Sequence, residues 1–413
     1  MKRKILLVSP FPPRRDGLHG GAQAIAHTIA ELAENNIVRL LCLRGDGELT
    51  TEPALAETCE LVEEIRRPGA RLGFRRLRRL ISSVSTGRPI WAGNWDVQHF
   101  RQRLHEIVTV WQPDVVHFHY QVMAQYRNAA QGRPAVLVVY EPGTVAARDR
   151  YAFCPAWQRP LLYADRLAWE RYERGILSQF NAIVCLTPRD GLALETLAPR
   201  SKISVIAPAY GTARLPRSEP SPQSSMILFA GNFAHPPNID AALRLTREIF
   251  PRVRELHPGA RLTIVGERPP RVIRASAAPD VLVAGCVADF ESLLDTAEVI
   301  AVPVRSGGGI RMKMIEALSH GKAVVATALA AEGLGISSGR EFVRAQSDEE
   351  FAAAIAALMR DPSRRNALGQ SALSWAAAYC RPGRVRDAYE ALHLSLESRP
   401  LERSELLELS GRT

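Results

Sequence analysis

Short, largely apolar runs recur along this chain, and segments with helical spacing separate them. Residues 4–8 (Lys-Ile-Leu-Leu-Val), 37–43, 114–119, 136–140 and 182–186 form one such series, with helical patterns over 24–32 and 100–111. A strand that is apolar at every position has to be covered on both faces, which only a parallel sheet flanked by helices provides. The series stops at 214–225, which is rich in Pro and Ser, and then restarts. Strands are expected at 226–230, 261–265, 281–284, 299–302 and 323–327, and helices at 239–253, 290–296 and 348–360. The reading is therefore α/β, with two doubly wound Rossmann-like units joined by a linker. Ligands of such sheets sit at the carboxyl ends of the strands, and two units leave a cleft in which two substrates can meet.

Length and composition agree with two domains. The chain has 413 residues, too many for one typical domain, and 46% of them are hydrophobic, enough for sizeable cores. Its six cysteines are scattered, with no Cys-x-x-Cys pair and no metal-ligand spacing, so neither a disulfide scaffold nor a metal site is expected. Met-Lys-Arg-Lys opens the chain as a signal peptide does, but the apolar run behind it ends at Pro10. With no run long enough to span a bilayer, the expected location is cytoplasmic. The 53 Lys and Arg against 43 Asp and Glu leave +10, which implies an anionic partner. Nucleic acid is not expected, since no helix-turn-helix, finger or aromatic RNA-binding signature is present.

The stretch Ser306-Gly307-Gly308-Gly309-Ile310-Arg311-Met312-Lys313-Met314-Ile315-Glu316 is where chemistry is expected. Glycines running into a helix start offer uncommitted N–H groups and the positive end of a helix dipole, a setting for phosphate. Arg311 and Lys313 add full charges, and the carboxylate of Glu316 suits sugar or ribose hydroxyls. The alternatives are surface cations and a Glu316 paired with Lys313 or Lys322. Gly20 and Gly21 stand between a strand and a helix in the first unit, beside His19, which reads equally as a ligand or as an exposed loop histidine. His119 and Glu141 end successive strands and are candidate catalytic groups. His117 is read as a core residue on the opposite face of its strand, and Glu332 lies just past a later strand. Seven arginines and no acid fall between Arg66 and Arg79, and the leucines behind them follow helical spacing, so this segment reads as an anionic membrane contact or as a packed surface helix.

Residues 302–334 also resemble the family 4 retaining glycosyltransferases. The likeness rests on Gly-Gly-Gly-Ile-Arg-x-Lys-x-x-Glu-Ala-Leu, on Gly321-Lys322-Ala323-Val324-Val325-Ala326-Thr327 and on Ala331-Glu332-Gly333-Leu334. Gly231-Asn232-Phe233, Pro237-Asn238-Ile239-Asp240, Leu262-Thr263-Ile264-Val265-Gly266 and Trp169-Glu170-Arg171-Tyr172-Glu173 agree with it. The resemblance implies a GT-B fold with five parts. These are an acceptor domain (1–213), a linker (214–225), a donor domain (226–384), a helix crossing back to the first domain (385–397) and a tail (398–413). It implies transfer of a sugar from a nucleotide-sugar substrate to a sugar or lipid-linked acceptor, with no cofactor and no metal and with Glu141 on the acceptor side; lipid contact through Arg66 to Arg79 would place the cytoplasmic chain peripherally on the inner face of the membrane. The donor would lie along Gly231, Gly266, Gly307 to Ile310 and Glu332, near Gly20 and Gly21, with Glu316 on the ribose. Gly308 stands where the family often keeps a first glutamate, and Tyr140 where it often keeps a histidine. Those departures leave open a non-catalytic nucleotide-sugar-binding subunit, and a sugar-nucleotide epimerase of the same fold is the other alternative.

Overall fold

The computed structural model describes residues 2–15, 20–67, 89–93, 95–152, 154, 156–211, 224–287 and 289–397. The first unit runs β1 (Lys4–Ser9), α1 (Gly20–Asn35), β2 (Ile37–Arg44), β3 (Leu61–Arg66), α2 (Gln98–Trp111), β4 (Val115–His119), β5 (Ala135–Val139), α3 (Gly143–Ala152), α4 (Arg159–Leu177), β6 (Ala182–Cys185), α5 (Pro188–Leu197) and β7 (Ile203–Val205). The second runs β8 (Met226–Ala230), α6 (Pro236–Arg244), β9 (Arg261–Val265), β10 (Val281–Gly285), α7 (Phe290–Thr296), β11 (Val299–Val302), α8 (Met312–Ser319), β12 (Ala323–Ala326), β13 (Val343–Arg344), α9 (Asp348–Arg360) and α10 (Pro362–Tyr379). The last helix, α11 (Arg384–Glu397), returns to the first unit.

Both sheets are parallel throughout, in the orders β3-β2-β1-β4-β5-β6-β7 and β10-β9-β8-β11-β12-β13. Each order reverses beside its first strand, so switch points open between β1 and β4 and between β8 and β11. Strands β4, β5, β6, β11 and β12 are buried at every position, which is why all of them except β4, with its two histidines, read as unbroken apolar runs. Helices cover both faces of the first sheet and divide its core into two clusters, and the second sheet has one continuous core.

Two expectations need correction. His117 and His119 share a face, because residues two apart in a strand point the same way. Their ring centroids are 6.3 Å apart, and the pair packs beneath α11. The helix expected over 239–253 is interrupted: α6 passes through a π turn at Leu245–Ile249 into Phe250–Leu256. Pro251 has no N–H to donate, and Phe250 instead reaches back five residues to Leu245 C=O.

Helix α11 is fastened to the first unit by polar contacts. Glu31 on α1 accepts from the backbone N–H groups of Val385 and Arg386 (2.9 and 3.0 Å). Arg3 reaches Glu397 at 2.7 Å, and His393 meets His117, Nε2 to Nε2, at 2.7 Å.

Candidate functional site

The glycine loop leaves β11 at the second switch point and turns into α8. Gly307 (φ 101°) and Gly309 (φ 69°) hold left-handed backbone that side chains resist. The loop is pressed against the first unit, since a Cβ on Gly309 would lie 2.4 Å from the Tyr140 carbonyl oxygen. Three successive N–H groups each donate across the seam to a carboxylate. Gly307 meets Asp149 of α3 (2.5 Å), Gly308 meets Glu141 after β5 (2.5 Å), and Gly309 meets Asp190 in the first turn of α5 (3.2 Å).

Arg311 is not a free cation here. It caps the start of α8, and its guanidinium donates to the carbonyls of Gly308, Gly309 (2.9 Å) and Ser306 (3.4 Å), which staples the loop. Desolvation lowers its pKa, against the pull of Glu141 and Asp190. Lys313, in the first turn of α8, donates to Asn238 Oδ1 at 2.7 Å and lies 4.5 Å from the Phe229 ring centroid. Burial, reinforced by Arg311, brings its pKa down to about 7, with Glu316 opposing. Glu316 is pushed up to about 7, first by desolvation and then by Glu291, while Lys313 and a hydrogen bond with Tyr210 act the other way. Lys313 and Glu316 are the two charged residues lining a small, otherwise apolar cavity of Leu228, Ala230, Phe290, Leu294, Ile300, Val302 and Ala317. Desolvation moves the two in opposite directions, the lysine down and the carboxyl up, as it does for ionisable groups held in an apolar cavity.

The expected glycines fall around the same crevice. Gly231 follows β8, and a Cβ there would lie 3.2 Å from Lys313 Nζ. Gly266 follows β9 and backs Gly231, whose carbonyl oxygen would be 1.8 Å from a Cβ at 266, so glycine is required there by packing. Gly20 begins α1, with Gly21 next. A Cβ on Gly20 would meet Met312 Cγ at 2.8 Å, so the N-termini of α1 and α8 converge from the two units. Ile310 packs against the cores of both units. Glu332 is committed to Arg189 across the seam at 2.9 Å.

His119 lies elsewhere. It is fully buried, its Nδ1 is 3.0 Å from the Tyr140 hydroxyl, and desolvation lowers its pKa to about 3, so it stands as a neutral core residue behind the site. Tyr140 stacks on Tyr120 with ring centroids 4.3 Å apart. Tyr120 itself has φ 70°, a strained value for a residue with a side chain, at the first switch point. His19 lies outside the described residues, as do the arginines between Arg66 and Arg79 other than Arg66 and Arg67. Arg67 rests on the Trp95 ring, 3.9 Å from its centroid.

Asp149, Asp190, Asn238 and Tyr210 belong to the site and were not expected from sequence. Asn238 lies inside the Pro237-Asn238-Ile239-Asp240 stretch, and the others stand in segments with no motif of their own. The role of Trp169-Glu170-Arg171-Tyr172-Glu173 is now physical. A Cβ on Gly143 would lie 2.0 Å from the Trp169 ring. Glu173 caps α3 by accepting from the N–H groups of Gly143 (2.6 Å) and Thr144 (2.9 Å). Gln121 ties the Glu141 carbonyl (2.6 Å) to Glu173 (3.1 Å), so this motif fixes the turn that carries Glu141 and the helix that carries Asp149. Among the described residues no group of His, Cys, Asp and Glu forms a metal cluster, all six cysteines are free, and no helix is long and apolar enough to cross a membrane.

Residues 224–361 match the family model described as glycosyl transferases group 1. An uncharacterized 44.6 kDa protein in the cps region of Klebsiella pneumoniae is 24% identical over 135 residues. That match spans 30% of this chain and 35% of the relative, about a third of its length. Sucrose-phosphate synthase from Thermosynechococcus elongatus superposes with a TM-score of 0.67 at 15% identity, over 96% of this chain and 100% of its own. TarM gives 0.70 at 9% identity, over 95% and 99%. Anabaena HepE, solved in complex with UDP and glucose, gives 0.63 at 13%, over 95% and 99%. At these identities the likeness establishes the architecture, two facing Rossmann-like domains of the GT-B type.

Proposed function

We propose that this chain, whose residues 224–361 match the glycosyl transferases group 1 model and whose architecture is GT-B, is a retaining transferase moving a sugar from a nucleotide-sugar donor to an acceptor hydroxyl. The observation that carries the reading is the meeting, at one crevice, of the glycine loop, the start of α8, and Lys313 with Glu316 on an apolar cavity. In this reading the donor diphosphate lies over Gly307 to Lys313 and between the converging N-termini of α1 and α8. The Lys313 ammonium and the two helix dipoles stabilise the charge that develops on the departing phosphate, in place of a metal. Glu316 accepts from the ribose hydroxyls. The acceptor hydroxyl attacks the anomeric carbon on the leaving-group face, and the departing phosphate oxygen takes its proton, which gives retention. A polysaccharide or glycoconjugate pathway, a sugar or lipid-linked acceptor and anionic-lipid contact through the basic stretch after Arg66 complete the proposal.

A thermal-shift panel of UDP-, GDP-, ADP- and dTDP-sugars tests donor binding, because a ligand of the native state raises its melting temperature by mass action. Glu316→Ala is expected to abolish transfer while leaving the melting temperature of the free protein near that of the wild type. Near-normal transfer by that variant would remove Glu316 from the site. Binding without turnover across the panel would favour the non-catalytic subunit instead.

A further inference from the structure

The three carboxylates on the glycine loop are unusual partners for a loop of this kind. Uncommitted amides at a helix start are a phosphate site, yet here Asp149, Glu141 and Asp190 fill them from the opposite domain. A phosphate that takes these amides leaves the carboxylates without their donors, and a half-buried carboxylate stripped of its donor is costly. The ligand that satisfies both sets of groups therefore presents acceptor oxygens to the loop and hydroxyl donors to the carboxylates. A nucleotide sugar does both, with its diphosphate and its hexose ring side by side.

The three carboxylates are not equivalent. Asp190 is 1% exposed and also accepts from the Thr187 hydroxyl at 2.8 Å, so it is held inside its own helix cap. Asp149 meets Gly307, at the end of the loop farther from α8. Glu141 stands nearest residue 308: a Cβ on Gly308 would lie 2.9 Å from Glu141 Cγ, against 3.3 Å from Glu141 Oε1 and from Asp190 Oδ1. Its backbone is fixed by Gln121, while its side chain is half-exposed and meets the Gly308 amide.

We propose that Glu141 reads the hydroxyls of the transferred sugar, moving from the Gly308 amide to the donor sugar when the donor phosphate takes that amide. Gly308 is glycine because the carboxylate serving this position comes from across the seam. The proposal rests on the sugar-transfer reading and changes the expected side of Glu141, from acceptor to donor.

The test compares affinities of UDP and GDP with those of UDP-glucose, UDP-N-acetylglucosamine and GDP-mannose, by calorimetry, for the wild type and Glu141→Gln. For the nucleotide sugar the wild type binds best, its affinity relative to its own nucleoside diphosphate is expected to fall about ten- to hundredfold in the variant, the range for a hydrogen bond to a charged group. The nucleoside diphosphate itself should bind as well or better, since one competitor for the loop is weakened. Gly308→Ala, whose methyl group would displace the Glu141 side chain, should reproduce the loss. A ratio unchanged in both variants overturns the proposal alone. A wild type that binds no nucleotide or nucleotide sugar overturns the transferase reading, and the proposal with it.

Discussion

Lys313 shows how a single residue can tie ligand affinity to pH. Its ammonium is buried, and burial holds its pKa down at about 7, well under that of an ordinary lysine. A phosphate binds the charged form, so the contribution of Lys313 is complete below that pKa and is lost as pH rises through it. Nucleoside diphosphate affinity should therefore fall between pH 7 and pH 9, by up to about tenfold per pH unit for the one proton linked through Lys313. Lys313→Arg stays charged throughout and should lose that slope. Affinity that rises over this range, or an undiminished slope in Lys313→Arg, would contradict the assignment. Glu316 and Lys313 could be picked out because one short segment carries them, whereas the place of Arg311 on the loop carbonyls could not. Asp149, Asp190 and Tyr210 were not, because each reaches the crevice from a different element and no local spacing marks it.

At the scale of the element, α11 depends on a buried histidine pair. His117 and His393 are 2.7 Å apart and almost completely buried. Desolvation, with Arg3 adding to it, lowers the His393 pKa to about 4. Desolvation and then His393 and His119 depress His117 well below the usual value, and the aromatic neighbour of both rings is Tyr389. The unfolded chain binds these protons near pH 6.5 and the folded one does not, so the stability is present above pH 6.5 and is lost as pH falls toward 4. For His393 the loss is about 3 kcal/mol by pH 4. Urea midpoints should therefore drop steeply between pH 6.5 and 4.5, and His393→Phe should flatten that dependence. Equal slopes in the two proteins would show that the pair carries none of it. The elements themselves were mostly legible, since strands buried on both faces must be apolar throughout. Edge strands escaped notice for the converse reason: β3 is Leu-Val-Glu-Glu-Ile-Arg, and β13 has two residues. Pairing with a neighbour makes them strands, and their own sequence does not. Helices α3 and α4 were likewise unread, because their positions are set by Gly143, Trp169 and Glu173 in contact.

For the whole molecule, the decisive quantity is how closely the two domains approach, because the two halves of the proposed site lie on different domains. The approach is set by small residues. Gly333 (φ 78°) follows Glu332, and a Cβ there would lie 2.8 Å from Thr187 Cγ2 of the first domain. Gly335 (φ 65°) has similar backbone but nothing within 4 Å of a Cβ. Alanine at either position incurs the left-handed strain, about 1 kcal/mol. Only alanine at 333 also wedges the seam beside the Arg189–Glu332 pair. Gly333→Ala should therefore enlarge the radius of gyration measured by X-ray scattering and lower kcat by about tenfold or more, because a displacement near 1 Å is costly to a site assembled from two bodies. Nucleoside diphosphate binding, which draws mainly on the second domain, should remain. Gly335→Ala should lower stability by a similar amount and leave both scattering and kcat unchanged. If the two variants behave alike, backbone strain alone accounts for the effect and the seam does not control transfer. If only Gly333→Ala opens the molecule, closure of the cleft is the step that brings Glu141 and the glycine loop onto the same donor.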